Sequence, residues 1–179
     1  MPLILRVHNL NIVKLWVDTS YAMHPYCHIH AGATISLWWL LVARRSKRQN
    51  LNSRSSTEAE LIGSDDVIPA FLCSRSFIEA QGFKVEEAVL YQDNLSAMLL
   101  ENIGILSSRN RTKHICTRYF LIKDIIAMGV LKVKYWPMGV ILAVHFTKPL
   151  QGTYFPKFRA EIHGILEETP DTYLVWDRP

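Results

Sequence analysis

The stretch IVKLWVDTSYA, residues 12–22, decides how the chain is read. Ile12, Val13, Leu15, Trp16 and Val17 have the β-branched and aromatic character of a buried strand, yet the run ends on a carboxylate, Asp18. An ionised group at the edge of a core is costly unless it is hydrogen-bonded, paired or bound to a cation. A second stretch repeats the pattern: EAVLYQD, residues 87–93, is a short apolar strand that closes on Asp93. In an open α/β sheet, sites form outside the carboxyl ends of the parallel strands. Two strands that each end in aspartate can bring both carboxylates to one place.

Between them lies SSTEAELIGSDDVIPAFLCSRSFIEAQG, residues 55–82. Leu61, Ile68, Phe71 and Ile78 mark a helical stripe, and Ser55 followed three residues on by Glu58 has the form of a capping box. Pro69 predicts a kink or a division of this helix, and Gly82 its end. With Leu61 and Ile62 one turn away, Glu58 is expected to face the sheet and Glu60 to be rotated towards solvent. Each acid has a plainer reading. Aspartate is an ordinary turn residue after a strand, and Glu58 can serve as a capping acid alone. Their mutual placement favours a metal site, and carboxylates with few other ligands suit Mg²⁺.

The remaining chain supplies a strand or two over 31–43, a polar basic stretch over 43–56, and a brief helix at NLSAMLLEN, 94–102. The basic loop SSRNRTKH leads to a helix marked by Ile115, Tyr119, Ile122 and Ile126 and stopped by Gly129. VLKVKYW alternates as a half-buried strand, and short helices follow near FTKPL and YFPKFRAEIHGIL. PLILRV and NIVKLWVD, residues 2–7 and 11–18, are expected to open the chain as a hairpin. The order predicts an α/β domain with a mixed sheet, an antiparallel meander followed by crossover-linked strands.

Composition narrows the setting. A hydrophobic fraction of 49% and a charged fraction of 20% exclude a wholly disordered chain. The net charge of +4 is compatible with a polyanionic partner. Cys27, Cys73 and Cys116 form no CxxC pair and read as reduced thiols. The longest apolar run, ISLWWLLVA, falls short of the ~20 residues of a membrane span. The first residues lack the pattern of a signal peptide, so the expected setting is cytoplasm or nucleus. His24, Cys27, His28 and His30 lack the paired spacing of a structural zinc site and read as incidental. Asp65 and Asp66 lie inside the long helix, which discounts them as a polymerase pair.

Five stretches together carry a specific likeness: WVDTSYAMHP (16–25), SKRQNLNSRSSTEAEL (46–61), YQDNLSAMLL (91–100), NRTKHICTRYF (110–120) and FTKPLQG (146–152). In this order, over residues 12 to about 163, the chain resembles the ribonuclease H domain of copia-type retrotransposon Pol polyproteins. The resemblance implies a ribonuclease H-like α/β fold, a five-stranded mixed sheet flanked by helices. That domain would span residues 12–150, after a remnant strand or linker over 1–11 and before a C-terminal helix and tail over 151–179. The implied activity is metal-dependent hydrolysis of the RNA strand of RNA–DNA hybrids, beside a separate reverse transcriptase. The implied catalytic and metal-binding residues are Asp18, Glu58 and Asp93, with Mg²⁺, or Mn²⁺ in its stead, in a two-metal site. Contact with the hybrid would rest on 2′-hydroxyls and phosphates, met by Arg44, Lys47, Arg48, Arg111, Lys113 and His114, with Arg45 and Arg109 beside them.

The chain also departs from the family. The fourth metal-binding aspartate, expected two residues before the Phe of FTKPL, is Val144, and an upstream glutamate is replaced by Val140. No Asp or Glu lies between Asp124 and Glu161, and His145 is a poor ligand for Mg²⁺. Trp38 and Trp39 stand where a small polar turn is usual, and Cys116 where aspartate is common. The expectation is a truncated or decayed copy with a weakened two-metal site. The alternative is a catalytically silent remnant, at most a nucleic-acid-binding module.

Overall fold

Strand β1 (Ile12–Ser20) is the centre on which everything else is built. Its period of two sends Val13, Leu15 and Val17 to one face of the sheet and Trp16 and Asp18 to the other. Both faces are covered, so all but the first residue of β1 is buried. The computed structural model describes residues 10–21, 28–37, 40–50, 53–103, 116–137, 141–149 and 151–162.

β2 (His30–Leu37) and β3 (Leu40–Arg48) extend the sheet from β1 as an antiparallel meander. On the other side β4 (Glu87–Gln92) pairs with β1 in parallel and β5 (Lys132–Tyr135) pairs with β4 in parallel. The order is β3-β2-β1-β4-β5, a five-stranded mixed sheet of the kind expected. The parallel register sets the site. Trp16 is level with Tyr91, so Asp18 and Asp93 each lie two residues beyond the same rung, at the same end of adjacent strands.

Helix α1 (Ser56–Ala80) packs across β1 and β2, and α3 (Cys116–Ala127) lies beside it. Val13, Leu15, Val17, Ile35, Ile68, Phe71, Leu90 and Ile122 fill the space between. The opposite face carries a smaller cluster of Trp16, Val89, Tyr91, Ile141 and Val144 under a 3₁₀ turn, Leu142–Phe146. Trp16 stacks on Tyr91 with centroids 4.2 Å apart, and Trp136 meets both edge-on. Two further helices complete the described chain: α2 (Leu95–Ile103), begun by the Asn94 side chain, which accepts from the Ser96 and Ala97 amides, and α4 (Tyr154–Ile162).

Three expectations change. α1 is not divided at Pro69 but continues unbroken for 25 residues; the proline is exposed, on the side where a missing backbone bond costs least. The strands expected over 31–43 run on into the basic stretch, since Arg44, Arg45, Lys47 and Arg48 all lie on β3. An edge strand has water on its outer side, and long cationic side chains are at home there. Glu60 is not exposed; it retains 5% of its accessible surface. Residues 2–9 of the expected opening hairpin, together with His24, Cys27, Trp38, Trp39, Arg109, Arg111, Lys113, His114 and Val140, lie outside the described residues.

Candidate metal centre

Asp18 is 1% exposed and sits in register with Gly32 of β2. A Cβ on Gly32 would stand 2.7 Å from Thr147 Cγ2 and 2.8 Å from the Ala143 carbonyl oxygen. Glycine is thus required there for the 3₁₀ turn to lie flat on the sheet. That close approach delivers two donors to Asp18. The Thr147 hydroxyl donates to Oδ2, and Lys148 Nζ lies 3.3 Å from Oδ1.

Glu58 and Glu60 both leave the first turns of α1, in different directions. Ser55 caps the helix, accepting from the Glu58 amide, and Glu58 Oε2 accepts from the Arg54 amide at 2.6 Å. Glu58 therefore acts as the capping acid and is absent from the group formed around Asp18. Glu60 takes that place. Its Oε1 accepts from both the amide and the hydroxyl of Thr19, at 3.0 and 2.7 Å, which ties α1 to the end of β1. Gly63, one turn on, permits this: a Cβ there would stand 2.8 Å from Thr19 Cγ2.

Asp93 follows β4, half-buried, with its own amide donating to Gln92 Oε1. Asp18, Glu60 and Asp93 converge, each offering a carboxylate oxygen within 4.8 Å of the others. Burial, and after it repulsion from Asp18 and Asp93, raises the Glu60 carboxyl well above its ordinary range despite the bonds from Thr19. Burial and Asp18 likewise raise Asp93, offset in part by Lys148. Glu60 Oε2 is buried with no hydrogen-bond partner. Three crowded carboxylates with Glu60 Oε2 unspent form a donor set that fits a hard divalent cation.

Behind this group lies a fourth acid that sequence reasoning passed over. Glu101 of α2 is 0% exposed, and neither of its carboxyl oxygens has a hydrogen-bond partner. Desolvation pushes its pKa up to about 8; the nearby Ser64 and Gln92 side chains moderate the rise without reaching bonding geometry. It contributes no ligand to the group at Asp18.

The other anticipated positions fall as follows. Arg44, Lys47 and Arg48 are exposed on β3, and Arg45 donates to the Asp66 carbonyl at 2.9 Å. His30 of the discounted zinc cluster is engaged with Ser46 Oγ at 2.7 Å. Val144 is 6% exposed within the aromatic cluster. No carboxylate beyond Asp18, Glu60 and Asp93 joins the group among the described residues.

Comparison with known proteins agrees with the architecture. No protein-family model matches the chain. It is 30% identical over 117 residues, 65% of its length, to the retrovirus-related Pol polyprotein from transposon TNT 1-94 of Nicotiana tabacum. The match spans 8% of that polyprotein's length. Among solved structures, the N-terminal RNase H domain of a Mycobacterium tuberculosis protein is similar with a TM-score of 0.54 at 12% identity. That likeness covers 87% of this chain and 99% of the other. LC11-RNase H1, isolated from compost by a metagenomic approach, gives 0.51 at 14% identity, over 72% of this chain and 86% of the other. The fold is the ribonuclease H fold, and the likeness to a copia-type retrotransposon Pol read from the motifs is borne out.

Proposed function

We propose that the chain is a retrotransposon-derived ribonuclease H domain that hydrolyses the RNA strand of RNA–DNA hybrids with a divalent ion, Mg²⁺ or Mn²⁺, held by Asp18, Glu60 and Asp93. One observation carries this reading: the buried, unpartnered Oε2 of Glu60 among two further carboxylates at the carboxyl ends of β1 and β4. A bound divalent ion supplies an activated water and neutralises charge at the phosphate. The chain's own residues do the positioning. Thr19 fixes Oε1 of Glu60 and leaves Oε2 for the ion. Gln92 and the cap at Asn94 fix the backbone on either side of Asp93. Arg44, Lys47 and Arg48 on the rim of β3 offer charge to the hybrid's phosphates, with Arg111, Lys113 and His114 as further proposed contacts.

The second reading, a catalytically silent remnant that at most binds nucleic acid, is favoured by Val144. An apolar side chain packed among Ile141, Val89 and Trp16 offers the ion nothing. A hybrid-cleavage assay in Mg²⁺ and in Mn²⁺ separates the two. Cleavage by the unaltered chain that is abolished by Glu60→Gln supports the nuclease. Absence of cleavage, regained with Val144→Asp, supports a nuclease disabled at that position. Absence with both chains, in folded protein, leaves the silent remnant standing and removes the first reading.

A further inference from the structure

The FTKPL motif contributes two side chains that the nuclease reading leaves unused, Thr147 and Lys148. Both act on Asp18. Thr147 occupies Oδ2, and the Lys148 ammonium lies 3.3 Å from Oδ1, so each oxygen of this nearly inaccessible carboxylate already has a donor. Lys148 itself is 30% exposed, and Gly32 allows the turn that carries it to come this close.

We propose that Lys148 is a tethered cation that competes with the divalent ion for Asp18. It stabilises the crowded acids when no metal is bound and must yield Oδ1 for metal to enter. The inference rests on the metal-site reading above and adds a regulator to it. The physical basis is simple. Three converging carboxylates repel one another, and a buried carboxylate without a counter-charge is strongly destabilising. A lysine supplies one charge on a flexible stem, and with 30% of its side chain exposed it has a path to water when it releases Asp18. The ion that displaces it gains Asp18 less the worth of that pair. The chain is therefore tuned to a higher metal threshold than its acids alone would set.

Calorimetric titration with Mn²⁺, and thermal unfolding in EDTA and in Mn²⁺, test this on the whole chain carrying Lys148→Met or Lys148→Arg. Methionine keeps the stem and removes the charge. It should tighten Mn²⁺ binding on the order of tenfold, ~1.4 kcal/mol, and lower the metal-free melting temperature by a few degrees. Arginine keeps the charge and grips a carboxylate through two bonds, so it should weaken Mn²⁺ binding below that of the unaltered chain. A mere change in local charge predicts no effect from arginine. Equal Mn²⁺ affinity in all three proteins overturns the competition and leaves the metal site intact. Failure of all three to bind Mn²⁺ overturns the metal site and the competition with it. Should the methionine variant not fold, the arginine variant alone decides, because weaker binding supports the proposal and unchanged binding removes it.

Discussion

Glu101 adds a pH-dependent contribution to the stability of this domain, and replacing it with glutamine should remove that contribution. The carboxyl has an ordinary pKa of 4.5 when the chain is unfolded and about 8 when folded, because burial disfavours its charged form. Between those values the folded state binds a proton that the unfolded state has released. Stability is thus fully retained below pH 4.5 and is lost as pH rises towards 8. At 1.36 kcal/mol per pKa unit, the loss is on the order of 1 kcal/mol at pH 5, 3 at pH 7 and 5 at pH 9. Against a typical domain stability of about 5–15 kcal/mol, the last figure is large. Glutamine keeps the shape of the side chain and cannot ionise. Its amide brings an unsatisfied-group cost of about 1–3 kcal/mol, but this cost does not vary with pH. Urea denaturation of both proteins at pH 5, 7 and 9 is the assay. The stability of Glu101→Gln relative to the unaltered chain should rise by roughly 4 kcal/mol from pH 5 to pH 9. Parallel profiles, or a difference that narrows with pH, would refute the reasoning.

Further outcomes follow from the same geometry. Glu58→Gln should reduce stability by about 1 kcal/mol through a weakened cap and leave Mn²⁺ affinity unchanged. Glu60→Gln should remove measurable Mn²⁺ binding in the same calorimetric titration while the metal-free protein remains folded. Because the raised carboxyls of Glu60 and Asp93 must lose protons to take a cation, Mn²⁺ affinity should increase from pH 5 to pH 8, with proton release visible as a buffer-dependent binding enthalpy. Gly32→Ala puts a methyl group against the Ala143 carbonyl oxygen and should lower stability by about 1–3 kcal/mol while it draws Lys148 away from Asp18; chemical denaturation and Mn²⁺ titration would read the two effects.

The sheet was legible because β1 and β4 carry unmistakable apolar runs, and the aspartate that closes each run marked the right end of the sheet. The expectation that Glu60 faces solvent failed for a physical reason. The first turns of α1 are buried on nearly every side, so adjacent Leu61 and Ile62 do not indicate which direction meets β1. A longer view of the helix does. Ile78 follows Glu60 by 18 residues, about five turns at 3.6 residues per turn, and therefore points the same way. Val67 and Phe71 lie within a few tens of degrees of that line, and all three are buried. Glu58 is instead aligned with Pro69 and Ser76, which are exposed. The partners Thr147 and Lys148 were hidden for a different reason. They reach Asp18 across 129 and 130 residues, through a turn whose approach depends on a glycine in a third element. Glu101 went unnoticed because one acid in an apolar helix resembles any solvent-facing glutamate until its neighbours are known.

The four cations of β3 have a second consequence. Among the described residues their strand ends the sheet, a rim of nine residues with no described strand beyond it, which another copy of the chain could extend. Arg44, Arg45, Lys47 and Arg48 guard that rim by mutual repulsion between molecules. Neutral substitutions introduced to weaken contact with phosphates would also strip away the guard and invite self-association into larger sheets. A loss of nucleic-acid affinity in such variants is interpretable only beside their sedimentation behaviour, since the charges that would attract a polyanion also keep the molecules apart.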